Sequence, residues 1–187
     1  MFKVFKIDIF HKEIIFSSIL MSGISYTLRV DYNVAYIDVL VQIILMIVFV
    51  WLLFRIHIFY SIIMTIMIYQ AYMLIQSIYY YTLGYSLGDT LSIYFLQVIS
   101  AITVLGIGWF LAKKRRGFDF VPDSPTYKVI IARREKILFI LVIPALIILT
   151  STMYFTEHFS NFYVLMPIVY GCILFSYIIL SYKKDMA

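Results

Sequence analysis

Long apolar runs, broken at intervals by clusters of charge, glycine or proline, organise this chain. A hydrocarbon core about 30 Å thick needs about 20 helical residues to cross it. Segments 36–54, 58–83, 91–112, 137–155 and 162–182 meet that length. A sixth, 14–28, is shorter and is interrupted by Ser17, Ser18, Ser22 and Ser25. Strands of a membrane barrel would alternate apolar and polar residues over about ten positions. The run from Ile43 to Val50 has no such alternation. The pattern predicts an all-α, polytopic membrane helix bundle of six transmembrane helices, a single integral membrane domain over 1–187. Gly84 and Gly88 bracket one connection, and Pro122 and Pro125 punctuate the polar segment 113–136, read as a basic cytoplasmic loop. Pro144 and Pro167 fall inside the fifth and sixth spans, where a missing backbone donor can kink a helix.

Composition sharpens this reading. Hydrophobic residues make up 64% and charged residues 13% of the 187, against about half and about a quarter in globular domains. That leaves too little polar surface for a water-soluble globule, and too much hydrophobicity for disorder. One Cys excludes an intramolecular disulfide framework and a cysteine-built zinc cluster.

The placement of charge sets the orientation. The segment 113–136 holds eight of the 15 basic residues: Lys113, Lys114, Arg115, Arg116, Lys128, Arg133, Arg134 and Lys136. With six spans, Lys3, Lys6, Lys12, Arg55, Lys183 and Lys184 share that side, and Arg29 alone lies opposite. Both termini are therefore expected in the cytoplasm of a cell carrying this protein as a multi-pass membrane component. Omitting the first span would carry Lys3, Lys6 and Lys12 outside. No cleavage site follows that span, Ser22-Gly23-Ile24-Ser25 being a poor match, so it is read as a retained helix.

Three features carry possible chemistry. In the basic segment, Lys113, Lys114, Arg115, Arg116, Arg133 and Arg134 set topology and attract anionic lipid headgroups; alternatively, with Phe118 and Phe120 between them, they dock a cytosolic protein. Near the outer face Arg29, Asp31, Asp38, Asp89 and Glu157 gather. A charge at membrane depth is a functional candidate, whereas interfacial solvation or pairing of Asp38 with Arg29 is the plainer account. An outer acidic excess favours a cationic or amphipathic ligand. On the third span Tyr69, Tyr72, Gln76 and Tyr80 recur at helical spacing on one face, and Gln97 and Ser100 of the fourth are expected to bond them. These polar groups serve either interhelical hydrogen bonding or a ligand cavity. Gly106 and Gly108 would permit close helix approach.

Catalytic and metal-binding patterns are missing. Cys172 and His158 are separated by far more than hydrogen-bond reach along a helical path, and Cys172 reads as a small buried apolar residue. Three scattered His residues make no paired ligand set, and phosphate-loop, HExxH and GxSxG motifs are absent. The sequence predicts no enzymatic activity, no cofactor, no metal and no nucleic-acid partner.

The short Ser-rich first helix, Tyr26-Thr27-Leu28-Arg29, the second helix closing in Trp51-Leu52-Leu53-Phe54-Arg55, and Arg116-Gly117-Phe118-Asp119-Phe120-Val121-Pro122 are similar to features of one known family. The chain resembles the membrane sensor region of Agr-type peptide-sensing histidine kinases over nearly its whole length. Such receptors continue into a kinase domain, whereas this chain stops at Lys183-Lys184-Asp185-Met186-Ala187. The resemblance therefore implies a sensor-like or accessory module without autokinase activity. It would bind an extracellular amphipathic peptide or small molecule through Asp38, Tyr69, Tyr72, Gln76 and Gln97, and act through a kinase partner. Two readings compete: a membrane subunit of a transporter, with Gln70, Gln76, Gln97 and Thr150-Ser151-Thr152 as a mid-membrane polar site, and an immunity or scaffolding protein. Each implies a protein partner or a homo-oligomer.

Overall fold

A backbone threaded through apolar surroundings has no water to bond, and a helix satisfies it internally. The computed structural model describes residues 4–7, 11–32, 34–83, 90–114, 117–118, 133–158 and 165–185, and among these all regular structure is helical. The helices are α1 (His11–Tyr26), a π-helical turn (Thr27–Asp31), α2 (Ala35–Leu52), α3 (Ile58–Leu83), α4 (Thr90–Lys113), α5 (Arg133–Ile140), α6 (Val142–His158) and α7 (Met166–Asp185). Two stretches, Ile58–Leu83 and Tyr94–Lys113, are long and apolar enough to cross a membrane. Ile37–Leu52, Lys136–Ser151 and Met166–Tyr182 are shorter apolar helices.

The weakest of the expected spans is longer than its apolar run. α1 starts at His11, and the π turn prolongs it to Asp31. Two of its hydroxyls are absorbed by the helix itself: Ser17 Oγ donates to the Ile14 carbonyl at 3.0 Å and Ser18 Oγ to that of Ile15 at 2.9 Å.

The two prolines act differently. Pro144 has no N–H for the Ile140 carbonyl, and the chain breaks between α5 and α6 at Leu141. The helical direction is kept across the break by Leu141 N–H to Ile137 (3.1 Å) and Ala145 N–H to Leu141 (3.2 Å). Pro167 falls in the first turn of α7, where its missing donor has no helical acceptor to leave empty. The helix is thus interrupted near Pro144 and runs on unbroken past Pro167. Arg133 and Arg134 open α5, so the end of 113–136 is helical rather than loop; the charged Arg-Arg-Glu-Lys run is made of good helix formers.

α3 is the hub, packing against α2, α4, α6 and α7. Its first half, from Tyr60 to Gln70, supplies most of its buried side chains. Around it Phe54, Ile56, Leu138, Val142, Leu149 and Tyr177 close a dry core. Phe59 of α3 stacks on Phe139 of α5 at 5.2 Å between ring centroids. Residues 4–7 tuck under this end: Phe5 and Ile7 are buried, Phe118 N–H donates to the Val4 carbonyl at 2.8 Å, and the Phe5 and Phe118 rings lie 5.7 Å apart. Gly117 is required there, since a Cβ would stand 2.5 Å from the Val4 carbonyl oxygen.

The outside of the bundle is as apolar as the inside. Only 11% of the apolar window of α4 is buried, against 44% of that of α3. Leu105, Ile102 and Phe95 of α4, Ile19 of α1 and Phe175 of α7 all stand exposed. An apolar surface of this extent marks an interface with lipid or protein rather than with water.

Candidate functional site

The sequence placed a basic residue and a carboxylate nine positions apart across the turn between the first two spans. α1 with its π turn brings Arg29 back over the first turn of α2, and Arg29 Nε bonds Asp38 Oδ2 at 2.5 Å. Ser25 Oγ donates to the same oxygen at 2.9 Å. Gln42, one helical turn beyond Asp38, donates from Nε2 to Asp38 Oδ1 at 3.4 Å and to the Met21 carbonyl at 2.8 Å. Asp38 is 0% exposed. A buried carboxylate survives only where charge and hydrogen bonds replace its water, and here the three donors come from α1, the π turn and its own helix. Arg29, by contrast, is 45% exposed.

Beside this pair lies a cavity of about 680 Å³. Its walls come from α1 (Met21, Ser22, Ser25, Tyr26), the π turn (Arg29, Val30), α2 (Asp38, Val39, Gln42), α3 (Tyr69, Tyr72, Met73, Gln76, Ser77, Tyr80), α4 (Tyr94, Gln97) and α7 (Met166, Tyr170). The volume lies in the range that accepts a small organic ligand. Asp38, Tyr69, Tyr72, Gln76 and Gln97, chosen from helical spacing and depth, all border it. Ser25 and Gln42, the two neutral partners of Asp38, were not among them. For Gln42 the signal was present, a carboxamide one turn after a carboxylate; for Ser25 none was, because its hydroxyl resembles those that bond back along α1.

Other expectations fall differently. Ser100 is buried and bonds back to the Leu96 carbonyl at 2.7 Å, so it serves α4 rather than the tyrosine face of α3. A hydrogen bond that does join α3 to α4 is Tyr79 Oη with Thr103 Oγ1, 2.8 Å apart. Gln70 donates to the Ala145 carbonyl at 3.0 Å, and Thr150 and Ser151 bond carbonyls of their own helix, so these do not converge on one polar site. The side chain of Thr152 lies outside the described residues. Gly106 and Gly108 face open space, with no atom within 4 Å of a Cβ placed there. Cys172, expected to be buried, is exposed on α7 beside Ile168 and Phe175, because that face of α7 points away from α3.

Of the basic segment, Lys113 Nζ lies over the Trp109 ring at 5.1 Å and Lys114 Nζ over that of Phe110 at 4.4 Å. Phe118 packs on the chain's own Phe5, not outward. Arg115, Arg116, Phe120 and Asp89, and the side chains of Arg133, Arg134 and Glu157, lie outside the described residues. Among the described residues the charged groups lining the cavity are Arg29 and a fully covered Asp38, and Asp31 is not among its walls.

Comparison with protein-family models, with curated proteins and with solved structures found no match.

Proposed function

We propose that the chain is a six-span membrane protein with both termini cytoplasmic, without enzymatic activity, that acts as a sensor-like or accessory module. It takes a small amphipathic molecule or peptide from outside into the cavity beside Arg29 and Asp38, and passes a helix shift to a cytoplasmic protein partner. The observation that carries this reading is the convergence of polar residues from α1, α2, α3 and α4 on one cavity, at the end of the bundle remote from Phe118 and Leu138. The hydrogen bond between Phe118 and Val4 supports the span count, since α1 to α4 lie between them and an even number of crossings returns the chain to the same side. α3 is the physical link to the partner side: its second half walls the cavity, and Phe59 near its start stacks on Phe139 of α5, the helix that the basic residues lead into. A rigid helix packed at both ends can move as one body between two arrangements.

Hydrogen exchange on the protein in lipid nanodiscs tests this, with and without an organic extract of spent growth medium. Slower exchange over residues 21–30 and 36–42, lost in Tyr72→Ala, is the expected result. Unchanged exchange with every extract would remove the ligand-binding reading. An amino-terminal tag reachable from outside intact cells would remove the topology.

A further inference from the structure

We propose that the ligand of this cavity is an anionic amphiphile, its carboxylate or phosphate head held by Arg29 and its chain leaving sideways between α1 and α4. The proposal rests on the cavity being a ligand site and adds the class of ligand. Three observations carry it.

The first is the charge that the cavity offers. Asp38 is wholly buried and its oxygens accept from Ser25, Arg29 and Gln42, so among the described lining residues no carboxylate is left to greet a cation. Arg29 uses Nε for that bond, and among the described residues its two terminal amino groups have no protein partner. A guanidinium pinned at one edge presents the other as an oriented pair of donors, the geometry that suits a carboxylate or phosphate.

The second is the way in. Among the described residues α1 packs closely on α2 and the π turn, and α4 on α3, while α1 and α4 make no extensive packing with each other. Tyr26, Val30 and Tyr94 border the cavity there and are exposed by 63%, 59% and 65%. In a bilayer this gap opens toward lipid, a route for a molecule with an apolar chain. The third is depth: Arg29 sits at the end of the α1 segment, where a long basic side chain reaches the interface and where the head of an amphiphile lies. A bare anion would meet no reason for the apolar walls contributed by Met21, Val39, Met73 and Met166.

The test measures displacement of cis-parinaric acid from the full chain in phosphatidylcholine nanodiscs. Dodecanoate and dodecyl phosphate are expected to compete at least about tenfold better than methyl dodecanoate, the value of one charged contact. Arg29→Gln paired with Asp38→Asn removes both charges together, so no buried carboxylate is orphaned, and should bring acid and ester to parity. Nanodiscs containing phosphatidylglycerol separate the sources: loss of probe binding there identifies a bilayer lipid, and retention identifies a free amphiphile. Equal competition by the ester in the unaltered protein, an undiminished acid preference in the double variant, or displacement by inorganic phosphate as strong as by dodecyl phosphate would each overturn the proposal. If acid and ester compete equally and Tyr72→Ala weakens both, the cavity remains a ligand site and only its anion preference falls. If Tyr72→Ala alters neither, the ligand-binding reading falls with it.

Discussion

The two ends of the bundle are built from the same residue types and solve opposite problems. At one end Phe54, Ile56, Tyr60, Leu138 and the tucked Phe5 and Ile7 exclude solvent and one another's voids. At the other Tyr69, Tyr72, Tyr80 and Tyr94 border a cavity beside an ion pair. α3 runs through both, its first half buried and its second half half-exposed. Tyrosine explains part of the contrast. Its ring packs like phenylalanine, but its hydroxyl wants a partner, so a wall of tyrosines is more polar than a wall of phenylalanines. The difference teaches that the closely packed core and the cavity are separated along one helix, so each can be altered with limited cost to the other.

That separation can be broken from the dry end. Ile63→Ala, at a site with 0% exposure, should cost about 3 kcal/mol through the void it leaves, read as a fall in thermal stability of the detergent-solubilised protein, with cavity binding changed only through the folded fraction. A result in which binding falls tenfold while the protein stays folded would join the two ends energetically. At the wet end, Arg29→Ala orphans the buried Asp38 and should cost about 2 kcal/mol, below the range for a fully buried pair because Arg29 is partly exposed. Adding Asp38→Asn should recover most of that loss. A double variant no more stable than Arg29→Ala would mean that the pair is not energetically coupled.

Smaller changes sharpen the comparison. Gly117→Ala forces a Cβ against the Val4 carbonyl and should cost about 1–2 kcal/mol by overpacking. Faster proteolysis within the amino-terminal residues, with an unchanged cavity, is its expected signature. Tyr79→Phe removes the hydroxyl that meets Thr103. It should cost about 0.6 kcal/mol, the usual worth of an interhelical bond in a membrane, as a shift of a degree or two in the same thermal assay.

Much of this was legible from spacing. The bounds of α3 match the apolar run 58–83, because glycine and charge mark both of its ends. The tyrosine face of α3 follows from period alone, since residues three and four apart share a side of any helix. Pro144 announced a break but not where the chain would yield; the break lies at Leu141, three residues earlier, next to the Ile140 carbonyl that the missing N–H would have served. Ser100 and Thr103 show the opposite case. Both are small hydroxyls one turn apart on α4, and nothing local says which meets α3.

The sequence by itself determined that the chain is helical, where its apolar lengths lie, and which positions carry polar groups inside them, because those properties depend on near neighbours and on a period. Only the tertiary structure decided that Arg29 lies on Asp38, that Gln70 turns to Ala145 while Gln76 and Gln97 border a cavity, and that α4 turns its glycines to open space. Those outcomes depend on how each helix is rotated and how far it slides against the next. Side chains on every face of these helices are apolar enough to pack, so local pattern leaves that rotation nearly free, and it is set by the fit of all the helices together.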